Sequence, residues 1–140
     1  VACTCLIVGD QLYCANCGDS RAILCRDGKA IHLSLDHKPT TAEEDQRIKE
    51  AGGDVTYSRV MGKLAVSRAL GDFAYKKISH SQIIKELKKF NDDSLDMIIP
   101  TPEIRAIKLD PEKDEFILIA CDGLFEVFTR EDAVEYCRAA

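Results

Sequence analysis

Apolar and polar positions divide the chain into a strand-rich first third and a later part of mixed period. Val1–Val8 is an apolar run carrying two cysteines and one threonine, and Gly9-Asp10 supplies a turn dipeptide after it. Leu12–Cys17 is the second strand candidate, punctuated by Gly18-Asp19. Ala22–Arg26 is the third, and it ends at Asp27-Gly28, the strongest short hairpin signal in the chain. Ala30–Leu35 then alternates apolar and polar at period two. Successive strands joined by tight turns predict an antiparallel meander.

Around Thr41 the period changes. Thr41-Ala42-Glu43-Glu44 fits a capping box, the stretch to Ala51 is rich in helix formers, and Gly52-Gly53 stops it. Val60–Gly71 mixes apolar and basic residues without a clear period. The lysine-rich Ile83–Phe90 reads as a surface helix and Asn91–Asp96 as an exposed loop. Pro100 and Pro102 mark an extended connection. Phe116–Ala120 is the most continuous apolar run, which predicts a strand buried on both faces. Thr129-Arg130-Glu131-Asp132 resembles a second capping box, opening a helix to about Arg138.

Composition narrows the class. A chain of 140 residues, 46% apolar and 31% charged, has the balance of one soluble globular domain. Its net charge of −5 gives no general attraction for a nucleic-acid backbone or an anionic membrane. No apolar run is long enough to span a bilayer and nothing resembles a signal peptide. The seven cysteines are odd in number and irregularly spaced, which argues against a disulfide framework. Reduced thiols and an intracellular setting, cytoplasmic or nuclear, are expected. Cys3, Cys5, Cys25 and Cys121 lie among apolar neighbours, where a free thiol behaves as a small hydrophobe.

Candidate chemistry concentrates on carboxylates. Asp122 ends the apolar run, where an ionised group is costly unless a cation or backbone N–H groups compensate it, and Gly123 permits a sharp turn beside it. Two readings stand there, a metal ligand and a turn cap. Asp19 also follows an apolar strand, although Gly-Asp-Ser is ordinary turn chemistry and Arg21 offers it a salt bridge. Glu126, four residues after Asp122, shares its face whether a helical turn or a strand follows. Such carboxylates suit a hard cation such as Mg²⁺ or Mn²⁺.

Other signals are weaker. Cys14 and Cys17 with His32 and His37 match the spacing of a Cys₂His₂ zinc site, giving a zinc-binding module as a competing reading. The context opposes it, because His32 lies in a strand pattern, Pro39 follows His37, and a hairpin turn separates the pairs. Ser67 and Arg68 lie in a packed amphipathic segment with no base nearby, and the Lys76–Lys89 charges read as a solvated face. No glycine-rich phosphate loop and no Gly-x-Ser-x-Gly elbow occurs.

Taken together, five blocks resemble the metal-dependent Ser/Thr protein phosphatases of type 2C. They are Asn16–Arg21 (NCGDSR), Asp36–Pro39 (DHKP), Arg47-Ile48 with Ala51-Gly52-Gly53, Leu64–Asp72 (LAVSRALGD) and Ala120–Val127 (ACDGLFEV), in the family's order. The resemblance implies an α+β fold, a four-layer αββα sandwich of two mostly antiparallel sheets flanked by helices, present here only in part. It further implies a phosphatase acting on phosphoserine and phosphothreonine in phosphoprotein substrates through a water activated by two Mn²⁺ or Mg²⁺ ions, as a monomer. Asp122 falls on the family's core metal-ligand aspartate. Asp19 and Glu126 fall on positions that hold an additional, third ion, and Glu126 departs from the family's aspartate there by one methylene. Phe125 stands where a tryptophan is common, and residues 73–99 correspond to the family's flap.

The family's other core ligands, an Asp-Gly-His block and an Asp-Asn block, do not occur in these residues, and Asp36-His37 belongs to the DHKP pattern instead. The 140 residues therefore read as an interior portion, 1–140, of one catalytic domain. Alone they are not expected to turn over substrate and they supply no catalytic side chain. An inactive pseudophosphatase serving as a protein-binding scaffold is the alternative, which the flanking sequence would decide.

Overall fold

The structure, a computed structural model, describes residues 1–76 and 96–140. It contains two compact units, Ala2–Asp36 with Pro102–Ala140, and Val1 with His37–Thr101.

The first of these units is a sheet-on-sheet sandwich. Strands β1 (Ala2–Val8), β2 (Gln11–Cys17) and β7 (Glu103–Lys108) form one antiparallel sheet in the order β1-β2-β7. Strands β3 (Arg21–Arg26), β4 (Lys29–His32) and β8 (Asp114–Ala120) form the other, ordered β4-β3-β8. Two-residue turns close the hairpins. Gly9 adopts φ 61 between β1 and β2, while Asp27 and Gly28 adopt φ 50 and φ 72 between β3 and β4, as a type I′ turn requires. Leu12 and Cys14 of one sheet pack on Ala22, Leu24 and Leu33, with Ile107 and Ile117 joining them. The opposite face of β3, carrying Ile23 and Cys25, packs on Val134 of the helix Arg130–Ala139. Sheet, sheet and helix are thus three layers of the expected α+β sandwich.

The second unit holds α1 (Ala42–Glu50), a short hairpin of β5 (Val55–Thr56) and β6 (Arg59–Val60), and a single 3₁₀ turn at Phe73–Tyr75. Its core is Ile48, Val60, Val66, Ala69 and Ile98. A bridge joins Arg68 to Ile99, and Ala69 N–H donates to the Ile99 carbonyl at 3.0 Å. The expected helix Ile83–Phe90, most of the Lys76–Lys89 face, most of the Asn91–Asp96 loop and most of the 73–99 flap lie outside the described residues.

Several expectations are corrected. The meander is interrupted, since β2 and β3 belong to different sheets and Gly18-Asp19 carries the chain between them. The strand buried on both faces is β3, which is flanked by strands on both edges and covered by a sheet and a helix. Among the described strands β8 pairs with β3 alone, and its Ile119 is 44% exposed. The fourth strand stops at His32 because Leu33 N–H reaches the Ala22 carbonyl (2.9 Å) while the Ser34 hydroxyl accepts from Ala22 N–H (2.9 Å), closing the ladder with a side chain.

The two capping boxes also differ. At Thr129 the box is complete: its Oγ1 accepts from Asp132 N–H at 3.1 Å and the Asp132 carboxylate accepts from Thr129 N–H at 3.2 Å. Thr41 caps α1 without a side-chain bond and donates to the Lys38 carbonyl instead. Glu44 is drawn into the interior by two arginines. At the other end Gly52 N–H bonds to Lys49 and Gly53 N–H to Ile48, a Schellman stop with Gly52 at φ 83.

Candidate metal site

The turn after β2 is built around Asn16. This residue is 1% exposed, and its Nδ2 donates to the carbonyls of Gly18 (3.1 Å) and Leu35 (2.8 Å), tying two chain segments together. Gly18 turns with φ 121, a conformation that disfavours a side chain, and delivers Asp19 as a buried carboxylate.

Arg21 opens β3 and organises the charges around this turn. Its Nε and Nη2 donate to the two oxygens of Asp36 at 2.8 and 2.9 Å, a bidentate fork. The guanidinium lies 5.0 Å from the centroid of the Phe125 ring, so Phe125 stacks on the cation as well as packing. The Asp36 hydrogen bonds chiefly hold the Arg21 pKa above its ordinary value despite partial burial, and the charges of Asp36, Asp122 and Asp19 add to that. Arg130 approaches Asp36 at 3.9 Å. Its pKa is lowered by burial and then by the neighbouring Arg21. Arg21 thus stands in the field of both sequence-predicted aspartates.

Asp122 begins a single helical turn, α2 (Asp122–Phe125), after the Cys121 cap. Glu126 N–H bonds to the Asp122 carbonyl at 3.1 Å, so the helical alternative holds and the Asp122 and Glu126 side chains leave on one face. Both are exposed. The cost of burying a carboxylate, expected at Asp122, falls on Asp19 instead, because the chain turns outward where β8 ends at Ala120. Cys121 turns out with it and is exposed rather than part of the core. The helix Arg130–Ala139, named α3 below, follows directly.

The sequence did not single out Asp36 or Arg130 for this site. The only signal was their residue type: Asp36 is an acid complementary to Arg21, 15 positions away, and Arg130 a base complementary to Asp36, 94 positions further on. Arg21 makes its fork on Asp36, and the Asp19 charge, expected to pair with it, acts on it as well.

The carboxylate chemistry of Asp19, Asp122 and Glu126 fits a hard divalent cation as a partial donor set. Among the described residues no group of three or more His, Cys, Asp or Glu side chains is gathered closely enough to hold an ion. The zinc pattern fails in its register, since Cys14 and Cys17 stand three residues apart on β2 and point to opposite faces. Also among the described residues, no helix is long and apolar enough to cross a membrane.

Comparison with known proteins gives a consistent picture. The family profile described as Protein phosphatase 2C matches residues 1–140. Protein phosphatase ppm-1.G of Caenorhabditis elegans is 44% identical over 137 residues, covering 98% of this chain and 26% of that protein. Protein phosphatase 1A of Homo sapiens is 41% identical over 134 residues, covering 96% of this chain and 32% of that protein. A crystal structure of a phosphatase from a pathogenic strain of Toxoplasma gondii superimposes with a TM-score of 0.73 at 34% identity, over 92% of this chain and 37% of that one. Another Toxoplasma gondii structure, of a serine-threonine phosphatase 2C, gives a TM-score of 0.74 at 22% identity over 99% of this chain and 46% of that one, a likeness of fold. The chain spans about a quarter to a third of the curated relatives it matches.

Proposed function

Because the chain belongs to the protein phosphatase 2C family, whose members are metal-dependent phosphatases, we propose that the whole protein hydrolyses phosphoserine and phosphothreonine in phosphoprotein substrates with bound Mn²⁺ or Mg²⁺. The observation that carries this reading is the family match over residues 1–140, and Asp19 and Asp122, on two of the family's blocks, both lie near enough for their charges to act on Arg21. Asp122 holds a core ion in this reading, and Asp19 with Glu126 holds an additional one. Glu126 is exposed, so its longer side chain has room to retract to the shorter reach of an aspartate.

The bound ions supply a nucleophile at neutral pH and neutralise charge on the phosphoryl oxygens. The chain's own residues do the positioning. Arg21, clamped on Asp36 and stacked on Phe125, fixes the spacing between the Asp19 turn and α2. Its positive charge also limits the repulsion between carboxylates brought to one place. Asn16 keeps the turn in shape. In this reading the protein works inside the cell, in cytoplasm or nucleus, and as a monomer; seven cysteines outside any disulfide and a net charge of −5 support the intracellular part.

The test is hydrolysis of a phosphothreonine peptide by the full-length protein with and without Mn²⁺. Turnover that needs the ion, and that Asp122→Asn removes while leaving thermal unfolding unchanged, is the expected result. Full activity of Asp122→Asn, or turnover indifferent to chelation, would contradict the proposal.

A further inference from the structure

The inner face of the β1–β2 hairpin carries three thiols that metal-dependent hydrolysis leaves unused. Cys3 and Cys5 are two residues apart on β1 and share one face. Cys14 on β2 lies directly opposite Cys5, whereas Cys3 faces Asn16. Counting outward from the two-residue turn, Val8 and Gln11 form the hydrogen-bonded closing pair, so alternation makes Cys5–Cys14 a non-hydrogen-bonded pair. Residues so paired have Cα atoms about 4.5 Å apart, within the span of roughly 4.4–6.8 Å that disulfides bridge. The Cys14 thiol is in hydrogen-bonding reach of both Cys3 and Cys5. Access is unequal: Cys14 is 1% exposed against Leu12, Ala22 and Leu24, while Cys5 is half-buried and open to a small solute.

We propose that Cys5 and Cys14 form a reversible cross-strand disulfide by exchange with oxidised glutathione, making this hairpin a redox-modification site. The Cys5 thiolate attacks one sulfur of the glutathione disulfide, forming a mixed disulfide and releasing one glutathione thiolate. Cys14 Sγ then attacks Cys5 Sγ, closing the protein disulfide and expelling the second glutathione. The two protons lost by the cysteines leave on the two released thiols, and the two electrons the cysteines lose reduce the glutathione disulfide. Burial raises the pKa of all three thiols, most of all that of Cys14, which lowers their thiolate fraction and makes the exchange slow. Cys3 is diagonal to Cys14 and is not the partner.

Full-length protein would be equilibrated in graded ratios of oxidised to reduced glutathione, alkylated, and digested without reduction for mass analysis. The expected product is a peptide pair joined through Cys5 and Cys14, with both thiols lost at a single midpoint and the link retained in Cys3→Ser. In Cys5→Ser, Cys14 should stay alkylatable. A stable glutathione adduct on Cys5 with Cys14 still alkylatable would overturn the proposal, as would a link through Cys3. So would two reactive thiols at the most oxidising ratio. The wild-type digest alone decides the matter if a variant fails to fold.

Discussion

Two arginine–carboxylate groups in this chain use the same chemistry to opposite ends. Around Glu44, Arg47 donates at 2.8 Å to Oε2 and Arg68 at 2.7 and 3.1 Å to Oε1, and the same arginines reach the carbonyls of Ser67 and Thr101. Glu44 is 3% exposed, and both of its carboxylate oxygens accept from these arginines. Around Arg21, one carboxylate is taken by the fork on Asp36 while Asp122 and Glu126 stand in solvent. Burial decides the difference. A buried carboxylate with both oxygens bonded to arginines holds its segments together, whereas Asp122 and Glu126, on one face of a surface turn, keep their carboxylates in solvent.

The largest effect expected from breaking this contrast is at Glu44. Glu44→Gln leaves two half-buried arginines facing a neutral group, and unfolding in urea should show a loss of roughly 3 kcal/mol. The pH dependence has a defined sign. Burial works to raise the Glu44 pKa, yet the Arg47 and Arg68 hydrogen bonds outweigh it and bring the pKa down to about 2 from 4.5. The contribution is therefore complete above pH 4.5 and is lost as pH falls through about 2. By linkage it amounts to about 3 kcal/mol. Urea midpoints of wild type and Glu44→Gln should converge as pH falls across that window, and parallel curves would refute the assignment.

A smaller effect is expected at Arg21. Arg21→Gln breaks the fork on Asp36 and loosens the Asp19 turn against α2, so Mn²⁺ should bind more weakly by on the order of 1 kcal/mol, about fivefold. Calorimetric titration showing unchanged or tighter binding would contradict the positioning role given to it. The smallest is at Thr129, where the complete capping box starts α3. Thr129→Ala should cost about 1 kcal/mol in thermal unfolding and leave Mn²⁺ affinity unchanged.

What the sequence made legible follows from the range of the forces involved. Hairpins at Gly9-Asp10 and Asp27-Gly28, the Schellman stop at Gly52-Gly53 and the box at Thr129 are set by neighbours a few residues apart. The assignment of β2 and β3 to different sheets depends instead on which strand arrives later in the chain to flank each of them. Likewise Phe116–Ala120 has the apolar content of a central strand, but its position in the sheet is fixed by pairing with β3 and not by its composition. Glu44 fits a helix cap by spacing and becomes an interior ligand of Arg68, 24 positions on. At the site, Asp19, Asp122 and Glu126 were legible as carboxylates after apolar strands. Their exposures were not, because those depend on where the chain turns after β2 and β8.

The contrast between the two groups is tested most directly by counting bound Mn²⁺, read by electron paramagnetic resonance, in full-length Asp122→Asn and Glu44→Gln. Asp122→Asn should lose tightly bound Mn²⁺ while unfolding like the wild type, and Glu44→Gln should keep its Mn²⁺ while unfolding earlier. An unchanged Mn²⁺ count in Asp122→Asn, or a loss confined to Glu44→Gln, would contradict it.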